Sequence, residues 1–136
     1  MPSLATKPVR PAIILSETDV ERLSALALQM EHASPLATNL LLDEIERAQV
    51  VTDREAPDDV VRMHSTVEFI DEAHGQTRTV QLVYPSEADI GAGRVSVLTP
   101  IGAGLIGLRP GQEICWPDRD GRERILRILR VVSPGS

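Results

Sequence analysis

The side chains that could do chemistry in this sequence are few and widely separated. His32, His64 and His74 fall in different predicted elements, and their spacing matches no metal-binding motif. The single cysteine, Cys115, cannot form an internal disulfide, and its apolar neighbours indicate a buried strand position. We therefore expect surface histidines, no metal site and no cofactor.

A glycine-rich stretch, TPIGAGLIGLRPGQEICW at 99–116, is the next candidate for a binding site. It contains no phosphate-binding loop of the form GxxxxGK[ST], and it lacks the strand, turn and ribose-binding acid of a dinucleotide site. Its centre is long enough for about two helical turns, in which Gly102 and Gly104 would let the backbone lie close to a sheet. Gly107 can end that helix, and RPGQ at 109–112 has the composition of a turn. The glycines therefore indicate packing.

The charge balance indicates a protein partner. The chain has 14 basic and 20 acidic residues, a net charge of −6, and both the first 50 residues and the remainder are acidic. Direct binding of nucleic acid depends on clustered Lys and Arg, so this balance argues against it. Because the sequence has no leader and no apolar run of about 20 residues, we expect a soluble cytoplasmic protein without membrane contact.

The N-terminal part predicts an extended, proline-containing arm over 1–15 and a short antiparallel helical hairpin over 16–50. Ser16 is a candidate N-cap for the first helix; Ser34 is one for the second, with Pro35 at its first position. Each helix carries a narrow apolar seam at heptad-like spacing, formed by Val20, Leu23, Ala27 and Met30 in the first and by Leu40, Leu41, Ile45 and Ala48 in the second.

Residues 51–136 predict a domain built mainly of antiparallel sheet, so that the fold class is α+β. Alternation places Val61, Met63, Ser65, Val67 and Phe69 on one face of a strand. A glycine-containing turn then leads into a second strand, which predicts a hairpin. Three more strand candidates follow at 94–98, 113–116 and 124–132.

A series of motifs occurs in a recognisable order along this domain. They are VRMHS at 61–65, LVYP at 82–85 with EAD at 87–89, RVSVLTPIG at 94–102, GLIGL at 104–108 and GQ at 111–112. With the helical segment before them, they resemble the C-terminal half of the bacterial transcript cleavage factors GreA and GreB. The resemblance is closer still to a related family, the regulator of nucleoside diphosphate kinase (Rnk), and it extends over roughly residues 12 to 132.

The resemblance implies an FKBP-like fold, in which a curved antiparallel sheet clasps one short helix. It also implies that the domain docks on RNA polymerase at the rim of the secondary channel, in competition with the Gre-type cleavage factors. By position, Asp89, Thr99, Pro100 and Ile101 match the docking region of the family. The sequence departs from the family at Leu98, where GreB-like proteins have an acidic residue. A purely structural alternative is that Thr99-Pro100 only ends a strand and starts a helix.

The hairpin tip indicates a non-catalytic member. The cleavage factors that this chain resembles carry a longer coiled coil, whose tip presents a pair of carboxylates for magnesium. Here the tip contains Glu31, His32 and Ser34, with Glu31 as its one carboxylate, and helices of about 15 residues would reach only about 22 Å. Glu31 can also be explained as a solvated residue near a helix end.

Three alternatives remain at this level. The family name suggests regulation of nucleoside diphosphate kinase through another protein partner. An FKBP-like fold suggests a prolyl isomerase, but Phe69, Tyr84 and Trp116 are the only aromatic residues and lie in different predicted strands, so we expect no enzyme. The helical hairpin could also cover a sheet edge or mediate dimerisation, although we expect a monomer.

Overall fold

The structure, a computed structural model, describes residues 12–33, 35–72, 75–117 and 123–134. It contains helices and strands in separate parts of the chain, which is the α+β class that the sequence predicted. The three helices are α1 (Glu17–Met30), α2 (Pro35–Arg47) and α3 (Pro100–Leu105). The seven strands are β1 (Ile14–Ser16), β2 (Gln49–Val51), β3 (Thr66–Asp71), β4 (Gln76–Val83), β5 (Arg94–Ser96), β6 (Glu113–Pro117) and β7 (Glu123–Val132).

The two ends of the helical pair, α1 and α2, are held together by a short parallel ladder of β1 and β2. The ladder is extended by the amide of Gln49, which donates to the carbonyl of Ile13 at 3.0 Å. Ile13 and Leu15 are each 1% exposed. The arm predicted over 1–15 is therefore ordered and packed at residues 12–15, whereas residues 1–11 lie outside the described part of the chain.

The helical pair packs on the same apolar core as the sheet. Ser16 caps α1 as predicted, because its hydroxyl accepts from the amide of Asp19 at 3.2 Å. Leu23 and Ala27 of α1 and Leu41 of α2 are completely buried. The other seam residues are partly buried against the core, except Leu40, which is buried. The helices are thus anchored by the sheet domain as well as by each other, because α2 also packs against α3.

The main sheet has the strand order β5-β4-β3-β7-β6. Its four strands β4, β3, β7 and β6 pair antiparallel, and a bulge between Glu68 and Phe69 interrupts the register of β3 with β7. The sheet is mainly antiparallel, as predicted, and the exception is β5, which runs parallel to β4. The reason is the connection 84–93, which returns the chain to pair Arg94 with Gln81, so β5 repeats the direction of β4.

The strand predicted from residue 61 begins only at Thr66. All five residues predicted for its inner face are buried, but residues 62–65 form a turn in which His64 has a φ of 72°. The amide of His64 donates to the carbonyl of Leu82 at 2.6 Å, and the amide of Ser65 donates to the carbonyl of Arg62 at 3.0 Å. Alternation therefore predicted burial correctly and the backbone path incorrectly.

The short helix α3 lies where the glycine-rich stretch predicted one. Adding a Cβ at Gly102 would place it 2.2 Å from the carbonyl oxygen of Ser96 and 2.9 Å from Cα of Val97, so the backbones touch. Gly107 has a φ of 81° just beyond the helix, and a Cβ there would lie 2.8 Å from Cβ of Ile13. Both glycines serve packing, as predicted.

Among the described residues, no helix is both long enough and apolar enough to cross a membrane. The FKBP-like character of the sheet, the antiparallel arrangement of the helical pair and the domain boundaries stay predictions.

Two carboxylates with opposite environments fix the N-terminal end of α1. Asp19 is 8% exposed, and its Oδ2 accepts from the amide of Met63 at 3.3 Å. Asp53 is exposed and accepts from both the amide and the hydroxyl of Thr18. Burial raises the pKa of Asp19, whereas the hydrogen bonds from Thr18 lower the pKa of Asp53. The first carboxylate joins α1 to the turn before β3, and the second joins it to the segment after β2.

Gly102→Ala tests the backbone contact of α3. We expect a loss of about 2 kcal/mol in the free energy of unfolding, because the fixed carbonyl of Ser96 cannot move away from the new methyl group. Gly91→Ala is the matched control, since its Cβ would meet only Asp89 Oδ1 at 3.5 Å. Urea unfolding measures both variants. Equal stability of the two would contradict the close contact.

Asp19→Asn tests the buried carboxylate. The folded pKa of Asp19 is raised, so ionisation costs stability as pH rises from the unfolded value through the folded one. We therefore expect the free energy of unfolding of the asparagine variant, relative to that of the wild type, to increase as pH rises from about 4 towards neutrality. The measurement is urea unfolding at several pH values.

Asp53→Asn is the control, for which we expect the opposite dependence of stability on pH. Its folded pKa is lowered, so its stabilising contribution is present above the unfolded pKa and is lost as pH falls through the folded one. The asparagine variant should lose stability relative to the wild type at neutral pH, and the difference should shrink in acid. Parallel pH profiles for the two variants would refute at least one of the two assignments.

Candidate protein-docking surface

The segment 84–94 forms a surface loop of two consecutive 3-10 turns, Pro85–Glu87 and Ile90–Ala92. The first turn is closed by Glu87, whose amide donates to the carbonyl of Tyr84 at 2.9 Å and whose Oε1 accepts from the amide of Tyr84 at 3.2 Å. The loop is attached to the sheet through Gln81, whose amide donates to the carbonyl of Gly93 at 2.8 Å.

Asp89, a residue predicted for docking, begins the second turn. Its Oδ1 accepts from the amide of Ala92 at 3.3 Å, so Asp89 is the N-cap. Its backbone pairs with Arg94 through two hydrogen bonds of 3.0 and 2.9 Å. The side chain of Asp89 is exposed, and that of the next residue, Ile90, is 83% exposed. Asp89 is among the residues predicted for docking, whereas Ile90 is not.

Thr99, Pro100 and Ile101, the other residues predicted for docking, are only half-buried and start α3. The hydroxyl of Thr99 accepts from the amide of Gly102 at 3.1 Å and donates to the carbonyl of Ser96 at 2.7 Å. Leu98, which precedes them, is 7% exposed and belongs to the core. The structure therefore gives Thr99 a helix-capping role, as the structural alternative proposed.

The residues predicted for docking lie at opposite ends of β5. Asp89 pairs with Arg94, the first residue of this strand, and Thr99 follows three residues after its last residue, Ser96. The structure thus separates an exposed acidic corner from a helix start that is partly covered.

His64 holds the loop in place, a role that its spacing in the chain does not indicate. Its Nε2 lies 2.8 Å from Oε1 of Glu87, and its ring meets that of Tyr84 edge-on with centroids 5.6 Å apart. The hydrogen bond from His64 lowers the pKa of Glu87, which favours the ionised form of this carboxylate. A left-handed histidine is uncommon, and here it turns the imidazole towards the loop. The alternation of residues 61–69 concealed this turn.

The predicted hairpin tip has one described carboxylate, Glu31. Its Oε1 lies 3.9 Å from Nε2 of His32, whose side chain is 99% exposed. Ser34 lies outside the described residues, as does His74. Leu28 and Leu36 nearby are 69% and 49% exposed, so the described end of the helical pair is partly apolar.

Within the described part of the chain, no three His, Cys, Asp or Glu side chains form a group that could hold a metal ion. Cys115 lies in β6 as predicted, but it is half-buried.

Substitutions at His64 test its backbone conformation. A left-handed conformation costs an L-residue about 1 kcal/mol relative to glycine, so His64→Gly should be about 1 kcal/mol more stable than His64→Ala. Both variants lose the contact with Glu87, which makes them a matched pair. Urea unfolding gives the difference. An alanine variant as stable as the glycine variant would mean that residue 64 is not left-handed in solution.

Comparison with known proteins matches each of the two parts of the chain to a family. The model of the family described as "Transcription elongation factor, GreA/GreB, C-term" matches residues 56–133, and that described as "Rnk N-terminus" matches residues 11–51. The chain is similar to "Regulator of nucleoside diphosphate kinase" of Escherichia coli K12, with 37% identity over 122 residues that cover 90% of each chain. It is also 33% identical to "Transcription elongation factor GreA" of Acidiphilium cryptum over 130 residues, covering 90% of this chain and 82% of that protein.

A solved structure supports the same conclusion. The GreA/GreB transcription elongation factor from Nitrosomonas europaea matches with a TM-score of 0.70 and 37% identity, over 90% of this chain and 99% of that one. The resemblance inferred from the sequence motifs is thereby confirmed. The chain belongs to the GreA/GreB-related family that includes the regulator of nucleoside diphosphate kinase.

Proposed function

We propose that this protein is a non-catalytic transcription regulator that binds RNA polymerase at the rim of the secondary channel and competes there with Gre-type cleavage factors. The observation that carries the proposal is the GreA/GreB C-terminal match over 56–133, which includes the whole main sheet, α3 and the loop 84–94. The relatives are named as regulators or elongation factors, and none of those compared above is named as an enzyme.

The proposed absence of cleavage activity rests on the helical pair. Its helices have 14 and 13 residues, which correspond to lengths of about 21 and 20 Å. Recruiting a second metal ion at a polymerase active site needs several carboxylate oxygens. The described residues between the helices supply one carboxylate, Glu31. Occupancy of the channel rim is then the means of regulation.

Asp89 is the proposed charged contact. It is exposed on a turn that is already ordered, so binding need not order the loop. The net charge of −6 suits a basic partner surface and predicts association that weakens with salt. Thr99 and Pro100 would act indirectly, by starting α3.

We place the protein in the cytoplasm, as a monomer, with an FKBP-like sheet and an antiparallel helical hairpin.

A second candidate function is regulation of nucleoside diphosphate kinase through a protein partner other than polymerase, which the name of the relative from E. coli favours. The two candidates differ in the partner that should be found. Direct regulation requires a complex with the kinase, whereas an effect through transcription requires a complex with RNA polymerase and none with the kinase.

The decisive experiment is a binding titration against core RNA polymerase at low and high salt, repeated with saturating GreA. We expect binding that weakens with salt and that GreA displaces. Asp89→Asn should weaken it by about 1 kcal/mol, roughly fivefold in Kd, with little change in folding stability because asparagine also caps a turn. Thermal unfolding of the variant checks the second point.

The matched control is Asp43→Asn, which removes the same charge from an exposed position on α2. It should bind polymerase nearly as well as the wild type. A protein that fails to bind polymerase at low salt but binds the kinase would replace the first function with the second. Equal losses for the two variants would assign the effect to net charge instead of to Asp89.

A further inference from the structure

Ile90 is the most exposed large apolar side chain among the described residues, at 83%. Single exposed apolar residues are ordinary on soluble proteins, so exposure alone indicates nothing. The other exposed apolar residues lie on regular helices or strands and are 38% to 69% exposed. Ile90 differs from them because it stands on a tight turn, so its surroundings need closer inspection.

The turn that carries Ile90 is held by backbone hydrogen bonds on both sides. The amide of Gly93 donates to the carbonyl of Ile90 at 3.0 Å, and the amide of Ala92 donates to the carbonyl of Asp89 at 3.0 Å. The paired backbones of Asp89 and Arg94 close the base of the turn. His64, through Glu87, fixes the preceding turn. Ile90 is therefore presented in a fixed position, and little conformational entropy remains to be lost on binding.

The neighbours of Ile90 in the chain leave its side chain projecting. Ala88, Gly91, Ala92 and Gly93 are all small. A Cβ built at Gly91 would meet only one atom of the described residues within 4 Å, Asp89 Oδ1 at 3.5 Å, so the space beside the turn is open. The carboxylates of Asp89 and Glu87 lie on the same loop. The exposed Arg94 stands at the base of the turn. The corner thus combines one exposed apolar side chain with a charged border of two carboxylates and one guanidinium.

This combination resembles the energetic centre of a protein interface, where an apolar anchor enters a depression and polar groups surround it. We infer that Ile90 is the apolar anchor of the polymerase-docking surface, and that it inserts into an apolar depression of the polymerase bordered by basic side chains. This inference rests on the proposed function, and it adds an apolar contact at Ile90 to the charged contact proposed at Asp89. The charge of Asp89 then attracts and orients the two proteins, and Ile90 forms the apolar contact from which water is excluded.

The test compares three variants in the titration against core RNA polymerase. Ile90→Ser should weaken binding at least tenfold, whereas Ile90→Leu should stay within threefold of the wild type because it keeps the apolar volume. Leu129→Ala is the control for loss of an exposed apolar side chain, since Leu129 is 43% exposed on β7 of the sheet. It should bind polymerase like the wild type. Thermal unfolding of each variant should match the wild type within a few degrees.

The dependence on salt separates the anchor from the charge. The factor by which Ile90→Ser weakens polymerase binding should be the same at high salt, because burial of an apolar side chain is not screened. The factor for Asp89→Asn should become smaller at high salt. Wild-type affinity for Ile90→Ser, or an equal loss for Leu129→Ala, would overturn the anchor while leaving polymerase binding intact. A wild-type protein that does not bind polymerase would overturn the proposed function, and the anchor with it.

Discussion

The backbone of α3 lies against the end of β5 at a distance that only glycine allows, and the surrounding elements depend on this contact. Gly102 has no room for a Cβ because the carbonyl of Ser96 occupies that space. Thr99 strengthens the contact by donating to the same carbonyl while capping the helix. With α3 fixed in this way, β5 is held beside β4, and α2 has a surface on which to pack. The glycine-rich stretch is therefore the joint between the helices and the sheet.

This joint explains why the residues predicted for docking divide into two roles. Thr99 caps α3 and Ile101 packs against the core, and both are partly covered, so a change there disturbs the core before it disturbs a surface. Asp89 lies at the other end of β5, where the chain is exposed and held by short-range hydrogen bonds. The position of β5, together with the side-chain hydrogen bonds of Asp89 and Glu87, keeps this exposed corner in place. The proposed contact with a partner and the start of α3 are therefore assigned to different residues of one short segment.

Much of the fold was predictable because it follows from local patterns. Alternation identified the buried residues of 61–69, glycine and proline marked the limits of α3, and Ser16 marked the start of α1. The errors occur where distant parts of the chain decide the conformation. The amide of His64 bonds to Leu82, β5 takes its direction from a loop that returns to Gln81, and β1 exists only because β2 pairs with it. No window of neighbouring residues contains that information.

The site was predictable only in part for the same reason. Motif order indicated Asp89, but it could not indicate that Ile90 projects, because exposure depends on the turn and on the small residues around it. The imidazole of His64 reaches Glu87 across 23 positions of sequence, and alternation assigned it to a strand face. Spacing can recognise a motif whose members are near in the chain. It cannot recognise a support assembled from a left-handed residue and a distant loop.

The helical pair has a structural reason to persist that does not require it to enter a channel. Leu23 and Leu41 are completely buried in the core that also contains Leu105 and Ile106, so α1 and α2 cover apolar surface of the sheet domain. Asp19 and Asp53 add polar links at the base of α1. A pair of this length can therefore lose reach and carboxylates without losing its contribution to stability. The proposed regulation by occupancy would then require only that the exposed corner at Asp89 remain in place, and the packing of α3 against β5 and α2 supports that position.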